Sequence, residues 1–97
     1  MAEIVYSARS LANVQRAFDS LRGKSPAAAI AAAIAVRTAV EALALHPLIG
    51  RRIEGDLREL VISYGDSGYV AAYRYLVAGD EVRILAIRHQ REIGYVP

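Results

Sequence analysis

Hydrophobic and polar positions in the first quarter of the chain predict a strand followed by a helix. Glu3–Ser7 alternates and is rich in strand-forming residues, which is typical of a β-strand. Ser10 can then cap a helix that begins at Leu11, and Gly23 can end it as a left-handed C-cap. The apolar residues of this helix recur at helical spacing and form one stripe: Leu11, Val14, Phe18 and Leu21.

A second helix is predicted directly after the first. Ser25 is a capping residue, and Pro26 occupies the first helical position, where its missing N–H costs nothing. The helix extends to about Leu45, because His46–Pro47 disfavours helical backbone. Only Gly23–Lys24 separates the two helices, so we expect an antiparallel helical hairpin.

The second helix has two apolar faces. Its only polar side chains are Arg37, Thr38 and Glu41. One face carries Val36, Val40 and Leu43, and the other carries Ile30 and Ile34. A sheet can bury one of these faces. The other needs a second cover, which is either the first helix or a bound partner protein, since so small a domain has little core of its own.

The second half of the chain predicts three strands. His46–Asp56 is expected to be a loop, and Gln90–Pro97 a tail. Short turns connect the strands, which implies an antiparallel meander. The strands are Leu57–Tyr64, Tyr69–Val77 and Val82–His89, with turns at Gly65–Gly68 and Ala78–Glu81. The order strand, helix, helix, three strands predicts one α+β domain over residues 1–97, with an antiparallel twisted sheet packed on the hairpin.

Composition narrows the class of protein. The chain is 55% hydrophobic and 23% charged, which is typical of a globular domain, and it has no cysteine. The start of the chain does not resemble a signal peptide, and the apolar run Pro26–Val36 is too short to span a bilayer. We therefore expect a cytoplasmic protein with no membrane contact. The net charge of +2 permits a nucleic-acid or acidic protein partner without requiring one.

The candidate functional residues are basic side chains of the strands and the tail, together with one tyrosine. His46 and His89 lie far apart without a companion ligand, so no metal site or cofactor is expected. Arg74 shares a strand face with apolar residues, so it is either functional or paired, with Glu59 or Glu92 as the expected partner. His89 is either a general acid or base, or a surface histidine at the end of a strand. The cluster comprises Arg58, Arg74, Arg88, His89, Arg91 and Tyr95.

Two other groups have a structural and a functional interpretation. Arg51–Arg52 is either a solvated loop pair or an electrostatic contact. Tyr69, Tyr73 and Tyr75 share one strand face. They are expected to be sheet packing with wet hydroxyls, rather than a platform for stacking bases.

The whole chain resembles the RelE/ParE superfamily of toxins from type II toxin–antitoxin systems. The resemblance rests on the order of the elements and on four segments: HPLIGRR, LREL, YRYL and RILAIRHQRE. It implies a small sheet packed on a helical hairpin, a role in plasmid stabilisation, and neutralisation by an antitoxin encoded beside the toxin, of ribbon–helix–helix or similar type. The antitoxin is expected to cover Phe18, Ile30 and Ile34, giving a hetero-oligomer.

The superfamily has two activities, and the resemblance favours one of them. RelE-like members cleave messenger RNA on the ribosome with basic side chains on the middle strands, whereas ParE-like members inhibit DNA gyrase and lack that set. Aligned on Ser67–Gly68–Tyr69, the basic positions fall on Val61, Ser63 and Val70, which are not basic. This favours a gyrase inhibitor without catalysis, with the target-binding residues Arg58, Arg74, Arg88 and Arg91. The alternative is a RelE-like ribosome-dependent endoribonuclease, with the catalytic candidates Arg74, His89, Arg91 and Tyr95.

Overall fold

A computed structural model describes residues 1–64 and 67–90 and contains two helices and five strands. The helices are α1 (Ala8–Lys24) and α2 (Pro26–Glu41). Short 3-10 helices follow at Ala42–Ala44 and Val77–Gly79. The strands are β1 (Glu3–Tyr6), β2 (Arg51–Glu54), β3 (Leu57–Tyr64), β4 (Ser67–Leu76) and β5 (Glu81–His89).

The five strands form one sheet in the order β1-β5-β4-β3-β2. β2 to β5 are antiparallel neighbours, as the short turns predict. β1 instead pairs in parallel with β5, so the sheet is mixed and the expectation of a purely antiparallel sheet was wrong. The reason is topological: the helical hairpin carries the chain from β1 at one edge to β2 at the other. The α+β class and the hairpin on the sheet are confirmed.

β2 was missed by the sequence pattern. It lies inside the predicted loop His46–Asp56 and pairs with β3, with Arg51 opposite Glu59. All four residues of β2 are exposed, so the strand has no alternation of buried and exposed positions to reveal it. Gly55 has a φ of 54° and forms the tight turn into β3, a conformation that glycine adopts without steric cost.

A serine caps the start of each helix, as predicted, but the serine that caps α1 is not the predicted one. Ser7, not Ser10, caps α1, because its side chain accepts a hydrogen bond from the Ser10 amide at 3.0 Å. Ser10 itself is buried within the helix. Gly23 lies inside α1 rather than at a left-handed cap. Ser25 ends α1 and starts α2, since its N–H donates to the Leu21 carbonyl at 2.7 Å and its hydroxyl accepts from the Ala28 amide at 3.2 Å.

The core lies between the hairpin and one face of the sheet. α2 turns its buried side to the sheet, and α1 packs against both α2 and β5. The α2 residues in the core are Ala32, Val36 and Val40, with Leu43 just beyond the helix. The sheet residues that meet them are Ile62, Tyr69, Ala71, Tyr73, Val82, Ile84 and Ile87. The opposite sheet face is not covered by either helix, and we call it the open face.

The second apolar face of α2 is exposed. Ile30 and Ile34 are 55% and 60% exposed, so α1 does not cover them. By length and composition alone, Pro26–Ala44 is long and apolar enough to cross a bilayer, which the shorter run Pro26–Val36 did not suggest. In the fold, the opposite side of this segment is packed in the core through Val36, Val40 and Leu43. α2 is therefore a core helix with one uncovered apolar side.

Candidate functional site

The open face carries the basic side chain that the sequence singled out. Tyr69, Ala71 and Tyr73 alternate along β4 and lie in the core. The residues that alternate with them, including Arg74, therefore point to the open face. Arg74 is on that face, which confirms the predicted strand phase. Its guanidinium forms an ion pair with Asp56, in the turn between β2 and β3. The expected partners were Glu59 or Glu92. Among the described residues Arg74 pairs with Asp56 rather than Glu59, and Glu92 lies outside the residues that the structure describes.

A second ion-pair network crosses the open face. Glu59 on β3 pairs with Arg51 on β2 at 3.2 Å and reaches Arg88 on β5 at 4.0 Å. Glu59 and Arg88 bridge β4 because the intervening position is small: Ala72 lies opposite Glu59. Both partners are largely buried, at 12% and 18% exposure of their side chains. Removing Glu59 would leave the largely buried charge of Arg88 without this carboxylate, whereas Glu59 keeps Arg51 if Arg88 is removed.

Arg58 is separated from these residues. It lies opposite Tyr73, which faces the hairpin, so it is on the other side of the sheet from Arg74. Its guanidinium donates to the carbonyls of Leu48 and Gly50, at 3.1 and 2.8 Å. These bonds hold the loop before β2. The structure therefore brings Arg74 and Arg88 to one face, about 13 Å apart along the strands, and places Arg58 elsewhere.

Tyr73 holds the same loop from below, which the sequence did not reveal. It is fully buried. Its hydroxyl donates to the Pro47 carbonyl and accepts from the Gly50 amide, both at 2.9 Å. Burial raises the pKa of the Tyr73 phenol, while the Gly50 hydrogen bond and the nearby Arg58 charge oppose that rise. The expected wet hydroxyl is instead a buried brace, and no local pattern in the strand distinguishes the two.

His89 faces the hairpin, away from Arg74. It lies opposite Tyr69, and the two rings meet edge to face with centroids 5.5 Å apart. His89 and Arg88 are consecutive strand residues and therefore point to opposite faces. Arg91 and Tyr95 lie outside the described residues. Of the four catalytic candidates, the two that the structure describes, Arg74 and His89, do not converge.

The residues expected to contact an antitoxin fall into two groups. Ile30 and Ile34 are exposed on the outer side of α2. Phe18 is half-buried at the seam between α1 and α2, where the Arg22 guanidinium lies 5.8 Å from the centre of its ring. Within residues 1–64 and 67–90, no group of three or more histidine or acidic side chains is placed to bind a metal. Of these three residues, Ile30 and Ile34 are exposed and Phe18 is not.

Comparison with known proteins identifies the class. Residues 4–94 match the sequence model of the ParE toxin of type II toxin–antitoxin systems, parDE. Toxin RelE2 of Caulobacter vibrioides is 39% identical over 89 residues, covering 92% of this chain and 96% of its own. Toxin RelE3 of the same organism is 42% identical over 72 residues, covering 74% and 76%.

Two solved structures share the fold. A chain of the chromosomal ParDE system from P. aeruginosa superposes with a TM-score of 0.72 at 20% identity, covering 92% of this chain and 96% of its own. A chain of the intact E. coli RelBE toxin–antitoxin complex gives 0.64 at 13% identity, covering 95% and 100%. The chain belongs to the ParE toxin family. It is a toxin of a type II toxin–antitoxin system, and its partner is an antitoxin.

Proposed function

We propose that this toxin acts in the cytoplasm by binding and inhibiting DNA gyrase, without catalysis of its own. The observation that carries the proposal is the separation of Arg74 from His89 on opposite faces of the sheet. Cleavage of RNA by its own 2′-hydroxyl needs a base, an acid and a cation gathered around one phosphate. Two side chains on opposite sides of a sheet cannot serve the same phosphate.

The open face supports a binding role. Arg74 and Arg88 are held on rigid strands by carboxylates, Arg74 by Asp56 and Arg88 by Glu59. Side chains restrained in this way lose less conformational entropy when a partner binds. The positions that carry the basic set in RelE-like toxins are Val61, Ser63 and Val70, and Val70 is buried while Val61 is an exposed apolar residue. The exposed Val61 is better suited to contact a protein than a phosphate, and the buried Val70 contacts neither.

We also propose that the antitoxin covers the outer side of α2. Ile30 and Ile34 lie opposite the sheet-facing residues, and α1 leaves them uncovered. A contiguous apolar surface on a small monomer marks a binding site or promotes aggregation. An amphipathic segment of the antitoxin, disordered when alone, would bury it. A gene pair of this kind would serve plasmid stabilisation, with the antitoxin encoded beside the toxin.

The second candidate is a RelE-like endoribonuclease, favoured by one observation. His89 lies beside Arg88 and borders a groove with further basic residues, so a nucleic acid could approach it from the hairpin side. The endoribonuclease activity of the toxin would then depend on His89 and Arg91. Codon-aligned cuts in messenger RNA that disappear in His89→Ala would support this alternative.

A paired assay tests the proposed target. Purified toxin is added to a gyrase supercoiling reaction and, separately, to a cell-free translation reaction that is independent of gyrase. We expect loss of supercoiling with translation intact, and we expect His89→Ala to inhibit gyrase as the wild type does. Translation arrest with full supercoiling at a large excess of toxin would overturn the proposal.

A further inference from the structure

A groove with a basic rim lies between α1 and the end of β5. Its volume is about 470 Å³, which is large enough for several side chains. The floor is apolar and includes Ala17, Leu21 and Ile87. Arg16 and Lys24 line the groove from α1, and His89 borders it from β5. The neighbouring Arg88 also borders the groove, but its guanidinium is on the open face, near Glu59. Among the residues that the structure describes, no acidic side chain lines the groove.

The two basic side chains of α1 at the groove, Arg16 and Lys24, have no partner among the described residues. Arg16 and Lys24 are exposed, and in the part of the chain that the structure describes neither side chain makes an ion pair or a hydrogen bond. The nearest acid along α1, Asp19, is engaged by Arg22 and Gln15 at 3.0 Å. Two like charges beside an apolar floor therefore point to solvent without a counter-charge from the described chain.

The strand that forms the far wall is also only partly paired. The register between β1 and β5 ends at Tyr6 and Ile84. Beyond it, two side chains replace the missing strand. Ser7, the N-cap of α1, donates its hydroxyl to the Leu85 carbonyl at 2.9 Å, and Asn13 of α1 accepts from the Ile87 amide at 3.0 Å. The groove is thus a fixed gap between a helix and a strand edge.

We propose that this groove binds an acidic segment of the antitoxin, with an apolar side chain on the floor and carboxylates facing Arg16 and Lys24. The inference rests on the proposed role of the antitoxin and names the chemistry of a second contact. Charge complementarity selects an acidic ligand. The apolar floor selects a peptide over a nucleic acid, because the Tyr69 ring on the floor is 5% exposed and offers no stacking surface.

The groove is continuous with the surface of the helical hairpin, which favours the antitoxin as the protein that supplies the acidic segment. Ala17 and Leu21 line both the groove and the seam between the helices, where Phe18 lies. A chain that covers the hairpin reaches the groove without leaving the surface. Acidic groups at this position would add ionic contacts to the apolar contacts at Ile30 and Ile34.

Charge reversal tests the inference on the intact toxin. Arg16→Glu and Lys24→Glu are compared with Arg52→Glu, an exposed arginine on β2 whose change in charge is the same. The probe is the purified antitoxin encoded beside the toxin gene, with affinity measured by titration calorimetry at about 50 and 400 mM NaCl. We expect each groove variant to weaken binding by roughly tenfold at low salt, and Arg52→Glu by less than about twofold. The wild-type affinity should fall with salt more steeply than that of the groove variants.

The outcomes separate this inference from the proposed antitoxin surface. If Ile34→Asp weakens binding while both groove variants bind as the wild type does, the groove inference is wrong and the α2 surface stands. If the groove variants keep full antitoxin affinity but lose binding to a fluorescent single-stranded RNA, the groove is a nucleic-acid site instead. Circular dichroism and thermal melting of each variant establish that the fold is intact, and Arg16→Lys should restore most of the affinity.

Discussion

Gly50 lies directly against the ring of Tyr73. A Cβ at position 50 would be 2.5 Å from both the Cε1 and the hydroxyl of Tyr73, and 2.9 Å from the Glu59 carbonyl. The Gly50 amide donates to that same hydroxyl. The loop before β2 can therefore close onto the sheet only if residue 50 has no side chain. Arg58 adds two further bonds to the loop from the neighbouring strand.

We predict that Gly50→Ala destabilises the protein by about 1–3 kcal/mol, because the methyl group must displace a buried ring and a strand carbonyl. Gly23→Ala is the matched control. Gly23 lies within α1, and nothing lies within 4 Å of the place that an added methyl group would take, so the same substitution there should stabilise by about 0.4–1 kcal/mol. Urea denaturation of both variants measures the difference. Equal stability of the two would mean that the loop does not depend on this contact.

Alkaline pH should weaken the same contact. Burial raises the pKa of Tyr73 above the ordinary value of 10.0, so the folded state favours the protonated phenol. The stabilisation is complete below the pKa of the unfolded chain and is lost as pH rises through the higher pKa of the folded state. Wild-type stability should therefore fall more steeply above pH 10 than that of Tyr73→Phe. Tyr6, whose pKa burial also raises, contributes equally to both proteins. Parallel pH profiles would contradict the assignment.

Asn13 should matter for the junction of α1 and β5. Its side-chain oxygen accepts the hydrogen bond of the Ile87 amide at a buried position. Asn13→Ala leaves that amide without this acceptor, which typically costs about 1–3 kcal/mol. Gln15→Ala, two residues away on the exposed side of α1, should change stability by less than about 0.5 kcal/mol. Thermal unfolding of the two variants side by side distinguishes a buried bond from a general effect on the helix.

Several features of this fold could be predicted from the sequence. Ser25 and Pro26 fix where α2 begins, and the two-residue period of a strand fixes which residues of β4 share a face with Arg74. The two apolar faces of α2 also predict that one of them is left without cover by the sheet. These signals are local, because each arises from residues within one element.

The remaining features depend on contacts between distant segments. The parallel pairing of β1 with β5 joins the two ends of the described chain. β2 is exposed throughout, so only its pairing with β3 defines it as a strand. The Tyr73 hydroxyl meets residues 23 and 26 positions away. Arg58 and Arg74 look equivalent as strand arginines, and only the register places them on opposite faces.

Arg74 should contribute to the inhibition of gyrase more than Arg52 does. Arg51, which the sequence placed in a loop, lies on β2 and pairs with Glu59, so it belongs to the open face and cannot serve as the control. Arg52 is opposite Arg58 and points to the other side of the sheet. We predict that Arg74→Ala raises the toxin concentration needed for half-inhibition of supercoiling by at least about threefold, and that Arg52→Ala leaves it unchanged. An equal loss from both, at matched folded yield, would argue against a site on the open face.

Antitoxin binding at the outer side of α2 can be measured directly. Ile34 is 60% exposed, so Ile34→Asp should leave the free toxin folded, whereas Phe18→Asp would also disturb the seam between the helices. Burial of such a side chain by the antitoxin is worth about 1.5–3 kcal/mol, and a buried aspartate adds a desolvation cost. We predict that the affinity of purified Ile34→Asp toxin for the antitoxin falls at least about tenfold, while its thermal stability stays close to that of the wild type. A folded Ile34→Asp toxin that binds the antitoxin as tightly as the wild type would show that the antitoxin does not cover the outer side of α2.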